Sequence, residues 1–231
     1  MLRKVIGKYY WFLQSKLLNK SSLFGNLFRN IIINEFHKIY YYYNYNSKST
    51  RENTFWLGIP CLSLKCPIDL WIYQEIIHEV RPDVIIECGT AWGGTAYFFL
   101  ASLCDLIGKG KVITIDIEER VGRPQYNGII YIQYSSTFKE IVEKVKSTIN
   151  KNDKVMVILD SDHRKEHVLK KLGIYSKFVT KDSYIIVENS NINQHPVLPK
   201  YEPRPMEAIK EFLKENKNLV IDKIKEKIYI I

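Results

Sequence analysis

Pro82-Asp83-Val84-Ile85-Ile86-Glu87-Cys88-Gly89-Thr90-Ala91-Trp92-Gly93-Gly94-Thr95 carries an apolar strand into a glycine-bearing turn and then into a helix. Strand, sharp turn and helix N-terminus make the ligand crevice of a parallel α/β sheet, where ligands sit outside the carboxyl ends of the strands. An acid and several glycines at that junction point to backbone held close to a nucleotide-like cofactor.

On either side of this stretch, from Pro67 onward, helix and strand alternate. Apolar runs predict strands over Val84–Glu87, Lys111–Ile115, Ile129–Gln133, Lys154–Leu159, Tyr184–Val187, Leu219–Asp222 and Lys227–Ile231. Helical patterns fall between them at Pro67–Val80, Gly93–Leu103, Phe138–Ile149, His163–Leu172 and Pro205–Glu215, the first with proline suited to its first turn. Such alternation predicts an α/β fold, a seven-stranded mostly parallel sheet with helices on both faces.

The first 50 residues differ in character. They hold eight Lys/Arg and one acid, Glu35, a net of +7 out of the chain's +9. Apolar positions at Tyr9, Phe12, Leu13, Leu17, Leu27, Ile31, Ile32, Phe36 and Ile39 predict two amphipathic helices, with Tyr40–Tyr43 and the tract to Thr50 as a linker. The expected division is therefore a basic aromatic arm, 1–50, and a catalytic domain, 51–231. Packing on the domain or on a second subunit is the favoured role of the arm, making a homo-oligomer the expectation. Docking to an anionic membrane surface is the alternative. Since the basic excess belongs to the arm, the body gives no reason to expect a nucleic-acid partner.

Cys61, Cys66, Cys88 and Cys104 show no CxxC spacing and read as reduced thiols of a cytoplasmic protein. No run of about 18 apolar residues exists, and the basic start lacks an apolar core and a small-residue cleavage site. A cytoplasmic location, peripheral to the inner membrane face if the arm docks there, is expected.

Four acids, Glu87, Asp116, Asp160 and Glu188, follow short apolar runs. Any one of them can be a helix cap, but together they mark the ligand edge of a parallel sheet. Asp116 stands 29 residues beyond Glu87, where a carboxylate accepts hydrogen bonds from ribose hydroxyls. The turn carries fewer glycines than the GxGxxG of dinucleotide binders, so a cofactor without a pyrophosphate fits better. S-adenosylmethionine is such a cofactor, with Glu87, Gly89, Thr90, Gly93 and Asp116 as candidate contacts and Asp160 at the neighbouring strand end.

Asp160, Glu188 and Asn189 are hard oxygen donors at neighbouring strand ends, suited to Mg²⁺ or a similar divalent cation. A metal there would aim a substrate hydroxyl at the cofactor's methyl group, making Asp160 catalytic as well. Asp162 reads as a cap for the following helix or an extra ligand. His163 reads as a general base or as a residue that orients the loop. His163-Arg164-Lys165-Glu166-His167 also matches the H-x-x-E-H zinc pattern, but no third ligand is placed for it.

The stretch from Trp56 to about Asp222 resembles the family named after cephalosporin hydroxylase, which includes rhamnosyl O-methyltransferase-like proteins. The matching segments are Pro67-Ile68-Asp69-Leu70-Trp71, the Arg81-to-Gly94 block, Ile158 to His163 with Glu166-His167-Val168, Tyr184 to Asn189, and Pro205-Met206-Glu207-Ala208. The resemblance implies a Rossmann-like class I methyltransferase fold, S-adenosylmethionine at Glu87, Gly89 and Asp116, and magnesium at Asp160, Glu188 and Asn189. It also implies Ser135 at the adenine edge. Two positions depart from the family: Glu188-Asn189 replaces an acidic pair, and Gln133-Tyr134-Ser135 replaces Gly-Asp-Ser. The expected reaction is methylation of a hydroxyl on a small molecule or glycan, with the Asn191–Arg204 loop (His195, Tyr201, Arg204) covering the acceptor side. Two alternatives are an iron-dependent hydroxylase using His163, His167 and Asp160, and a non-catalytic cofactor-binding scaffold in glycan assembly.

Overall fold

Val84–Ile86 and Val155–Leu159 offer no polar position to either face, so both strands must be covered on both sides. The computed structural model, which describes residues 23–45, 55–56, 59–60, 67–200, 202–223 and 225, places them at the centre of a sheet. A helix α1 (Leu23–Ile39) runs into a π-helical turn at Tyr40–Tyr45. Strands β1 (Phe55–Trp56) and β2 (Ile59–Pro60) pair antiparallel. The domain then alternates: α2 (Pro67–Val80), β3 (Val84–Cys88), α3 (Gly94–Ile107), β4 (Lys111–Asp116), β5 (Ile129–Gln133), α4 (Lys139–Thr148), β6 (Val155–Leu159), α5 (Lys165–Tyr175), β7 (Ile185–Val187) and α6 (Pro205–Glu215).

The five-stranded sheet runs in the order β5-β4-β3-β6-β7, and every pairing is parallel. Side chains alternate across each strand, giving two cores. Ile85, Val112, Met156 and Ile158 pack with Ile77, Phe99 and Leu103 of α2 and α3. Val84, Ile86, Ile113, Val157 and Leu159 pack with Val145, Leu172, Tyr175 and Ala208 of α4, α5 and α6. Helices thus cover both faces, as the alternation predicts, and among the described residues no helix is long and apolar enough to cross a membrane.

Three expectations change. The main sheet has five strands among the described residues, not seven. Leu219–Asp222 is irregular, with Val220 85% exposed and Ile221 40%; among the described residues its apolar run pairs with no strand. The expected strand at Lys227–Ile231 lies outside the described residues. Tyr40–Tyr43 is no linker either, because the aromatic run prolongs α1 as the π turn.

Register fixes what meets at the carboxyl edge. Cys88 pairs with Ile115 on β4 and with Leu159 on β6, and Leu159 pairs with Val187 on β7. One step further, Asp116, Gly89, Asp160 and Glu188 therefore form a single row. Ladder-like bonds hold it, from Gly89 N to Ile115 O (2.8 Å), Asp160 N to Cys88 O (2.7 Å) and Glu188 N to Leu159 O (3.0 Å). Glu87 belongs two rungs earlier, opposite Thr114 and Ile158.

Candidate functional site

The two-rung offset decides the fate of Glu87. Set two residues back from the row, it lies within the sheet and is fully buried. Thr114 Oγ1 donates to its Oε2 at 2.6 Å, and the Thr90 and Thr114 hydroxyls lie 2.7 Å apart. Thr90 is buried in the same chain of hydroxyls. Glu87 and Thr90 hold the turn from beneath and line no part of the cleft above it.

That cleft, of about 1270 Å³, opens at the carboxyl edge; Gly89, Asp116, Asp160, His163, Glu188 and Asn189 all line it. The glycines have structural reasons of their own. Gly89 has φ +114°, and a Cβ there would lie 2.1 Å from the Asp160 carbonyl oxygen, so only glycine lets β3 leave beside β6. A Cβ on Gly93 would meet the Tyr131 hydroxyl at 2.9 Å. Gly93 donates to Thr90 O and closes the turn, outside the cleft wall.

Asp116 accepts from Ala91 N at 2.8 Å through Oδ2 and from Glu118 N at 3.0 Å through Oδ1. Arg123 completes this corner. Its Nε donates to Ala91 O (2.9 Å), its Nη2 donates to Glu118 O (2.7 Å), and the same Nη2 lies 3.9 Å from Asp116. A carboxylate offers about four acceptor positions, so Asp116 keeps capacity for ligand hydroxyls. Ser135 lies away from the cleft, 3.2 Å from Thr137 Oγ1, in a local hydroxyl pair.

At the β6–β7 end, Asn189 has φ 55°, a left-handed conformation that asparagine tolerates better than most residues. Its Nδ2 lies 2.8 Å from His163 Nε2. An amide that donates to the imidazole turns its Oδ1 away and leaves that oxygen for another partner. His163 Nε2 is also 3.9 Å from Asp160 Oδ1. Among the described residues no group of three His, Cys, Asp or Glu side chains is gathered closely enough to hold a metal. Two carboxylates and an amide oxygen nevertheless suit magnesium, which keeps several waters and needs only one or two carboxylates.

The neighbouring positions are structural. Asp162 takes Arg164 N at 3.2 Å and the Arg164 guanidinium, whose hydrogen bonds hold its carboxyl well below the usual carboxylate range. Helix α5 begins at Lys165, so His163 precedes it. His167 lies in a separate small pocket with Arg164, Glu166 and Lys170. The H-x-x-E-H pair is split, which removes both the zinc pattern and the His163/His167/Asp160 iron triad. In the covering loop, His195 lines the cleft and pairs with Glu207 Oε1 at 2.7 Å. Arg204 instead starts α6, where its backbone N–H donates to Glu207 Oε2 at 2.7 Å. Tyr201 lies outside the described residues.

Two features escaped the sequence reading. Lys171 is fully buried, and its ammonium donates to Ser161 O, to Ser161 Oγ (3.1 Å) and to Asp162 O (3.4 Å), beneath the turn that carries Asp160. Burial pulls its pKa down. Its place on the buried stripe with Val168, Leu172 and Tyr175 was a readable signal. The second feature is the arm: Asn34, Phe36, His37 and Tyr40 form part of the cleft wall.

Residues 48–231 match the family described as Rhamnosyl O-methyltransferase/CmcI. The rhamnosyl O-methyltransferase of Mycobacterium leprae is 36% identical over 200 residues, covering 84% of each chain. That of Mycobacterium tuberculosis is 36% identical over 192 residues, covering 81% of this chain and 75% of the relative. Among solved structures, CmcI with Mg and SAM superposes with a TM-score of 0.55 at 17% identity, covering 75% of this chain and 71% of that one, a likeness of fold. The chain belongs to the rhamnosyl O-methyltransferase/CmcI family.

Proposed function

We propose that this protein is an S-adenosylmethionine-dependent, magnesium-assisted O-methyltransferase acting on a hydroxyl of a sugar or small molecule. The observation that carries this reading is the row Asp116–Gly89–Asp160–Glu188, one rung of a parallel sheet whose members all line one cleft. A ribose-type acceptor position at the end of β4 and a hard-oxygen donor set at the ends of β6 and β7 then lie on either side of Gly89 at the end of β3, at about 5 Å per strand. Relatives that are rhamnosyl O-methyltransferases make a rhamnosyl hydroxyl the leading acceptor.

Asp116 uses its remaining lone pairs for the ribose hydroxyls, held in place by Ala91 N, Glu118 N and Arg123. Asp160, Glu188 and the Asn189 amide oxygen would hold the cation. Bound together, the two groups supply an electrophilic methyl and a positive charge that lowers the acceptor hydroxyl's pKa. His163 positions Asn189 through their 2.8 Å contact, and it takes the hydroxyl proton only by giving up that bond. Lys171 fixes the Asp160–Asp162 turn from below. Peripheral membrane contact belongs to the same proposal. It is supported by the arm's net +7 and by Leu27 and Ile31, which are exposed on α1.

The test is a transfer assay with S-adenosylmethionine, Mg²⁺ and a panel of rhamnosides. S-adenosylhomocysteine should form only with an acceptor, stop on adding EDTA and resume with excess Mg²⁺. Turnover insensitive to chelation would remove the metal from the scheme, and no turnover with any hydroxyl acceptor would sink the reading.

A further inference from the structure

The cleft is larger than one ligand requires. Its volume of about 1270 Å³ exceeds the roughly 300–1,000 Å³ of an ordinary small-molecule pocket, and its ends differ in chemistry. Asp116 and Arg120 line the end beside the glycine turn. The opposite end is walled by the N-terminal arm, with Asn30, Asn34, Phe36, His37 and Tyr40 along α1 and the π turn. Asn191 faces them from the loop after β7, its Nδ2 3.4 Å from His37 Nδ1. Asp160, Glu188 and Asn189 belong to the same cleft, and Asn191 is two residues beyond Asn189.

This wall has a definite chemical character. The Phe36 and Tyr40 rings lie nearly parallel, with centroids 6.1 Å apart and planes 19° from each other. Carboxamides and an imidazole flank them. Burial lowers the pKa of His37, which keeps the imidazole neutral. Although the arm carries most of the chain's net charge, none of its described Lys, Arg or Glu residues lines the cleft. Among the described residues, a phosphate or carboxylate ligand would find no cation on this wall. A pyranose ring suits it, because its C–H face packs against aromatic rings while its hydroxyls exchange hydrogen bonds with carboxamides and imidazole.

We propose that the arm wall is the acceptor subsite, binding a neutral pyranosyl ring against Phe36 and Tyr40 and reading its hydroxyls through Asn34, His37 and Asn191. The proposal rests on the methyltransferase reading for what happens to that ring afterwards. Residues 30–40 precede the family match at 48–231, so acceptor choice is carried by a segment outside the matched region. The family-matched domain carries the cofactor and metal positions, and the arm sets which sugar is presented to them. A site that hydrogen-bonds hydroxyls also rejects analogues that lack them, because its polar groups are left unpaired.

The experiment measures binding separately from turnover. Methyl α-L-rhamnopyranoside is titrated into the full chain and followed by saturation-transfer NMR, on wild type and on Asn34→Ala, His37→Ala and Tyr40→Ala. S-adenosylmethionine affinity is measured on each by calorimetry. Asn34 is solvent-exposed outside the core, so its truncation leaves the fold intact. The expected result is ring-proton saturation on wild type, with affinity lowered about tenfold in each variant, the equivalent of one hydrogen bond. Cofactor affinity should be unchanged, and in the transfer assay KM should rise with little change in kcat. Equal sugar binding by wild type and variants, no saturation of this or any other neutral pyranoside, or preferential binding of a simple phenol would each overturn the subsite. If the sugar tracks the arm but wild type binds no S-adenosylmethionine, the subsite stands and the methyltransferase reading falls.

Discussion

Along the carboxyl edge of the sheet, the β3–β4 half and the β6–β7 half hold their acids differently. At β3–β4, Glu87 is buried under the turn with Thr114 and Thr90, while Asp116 accepts two backbone N–H bonds and lies beside Arg123. At β6–β7, Asp160 and Glu188 have their backbone N–H groups in ladder-like bonds and line the cleft, with Asn189 beside them in a left-handed conformation. The same sequence signature, an acid after an apolar run, thus serves turn architecture on one side and a set of oxygen donors lining the cleft on the other. Rung position separates them: Glu87 is two residues short of the row that holds Asp116, Asp160 and Glu188, and so lies inside the sheet.

The contrast can be broken most severely where the halves touch. Gly89→Ala places a Cβ 2.1 Å from the Asp160 carbonyl at a φ that alanine avoids. It should cost on the order of 3 kcal/mol, read by urea denaturation. Thr114→Val removes the Glu87 donor and should cost about 2 kcal/mol. If Glu87 is architectural, S-adenosylmethionine affinity should follow stability only weakly; a large affinity loss in a stable variant would make Glu87 a ligand contact. Lys171→Met tests the other half. It removes a buried ammonium from the Ser161 and Asp162 carbonyls and should cost about 1–2 kcal/mol. Mg²⁺ affinity should fall while S-adenosylmethionine affinity holds, as a purely packing role would not produce.

The smallest effect lies at the opposite edge of the sheet. Hydrogen bonds from Lys109 and from Lys154 N lower the Asp83 pKa below its ordinary 3.8. The unfolded chain therefore takes up this proton first on acidification. The Asp83 contribution is complete above about 3.8 and disappears as pH falls through the lower folded value. Being partly exposed, it should be worth less than about 1 kcal/mol. Asp83→Asn should flatten the acid limb of stability against pH, measured by denaturation between pH 5 and 2.5.

Much of the sheet was legible because its central strands are unbroken apolar runs, and Ile129–Gln133, Pro67–Val80 and Pro205–Glu215 match their predicted bounds. Leu219–Asp222 has strand-like composition but pairs with no strand among the described residues, and pairing is a long-range property that a local pattern does not hold. Glu87 was misplaced for a similar reason: β3 runs past it to Cys88, and where a strand ends is set by its pairing with β4 and β6. Lys170 and Lys171 are identical in sequence terms, yet helix phase exposes one and buries the other. The arm's contribution to the cleft depends on contacts more than 150 residues apart, such as Tyr42 with Leu198, and no motif announces it.

The most direct test of the divided edge is paired calorimetry of S-adenosylmethionine and of Mg²⁺ on wild type, Asp116→Ala and Asp160→Ala. The account predicts a double dissociation. Asp116→Ala should lose cofactor affinity by at least about tenfold and keep Mg²⁺ binding, whereas Asp160→Ala should lose Mg²⁺ and keep most cofactor affinity. Loss of both ligands in both variants, with the fold intact, would contradict the division and make the row a single site.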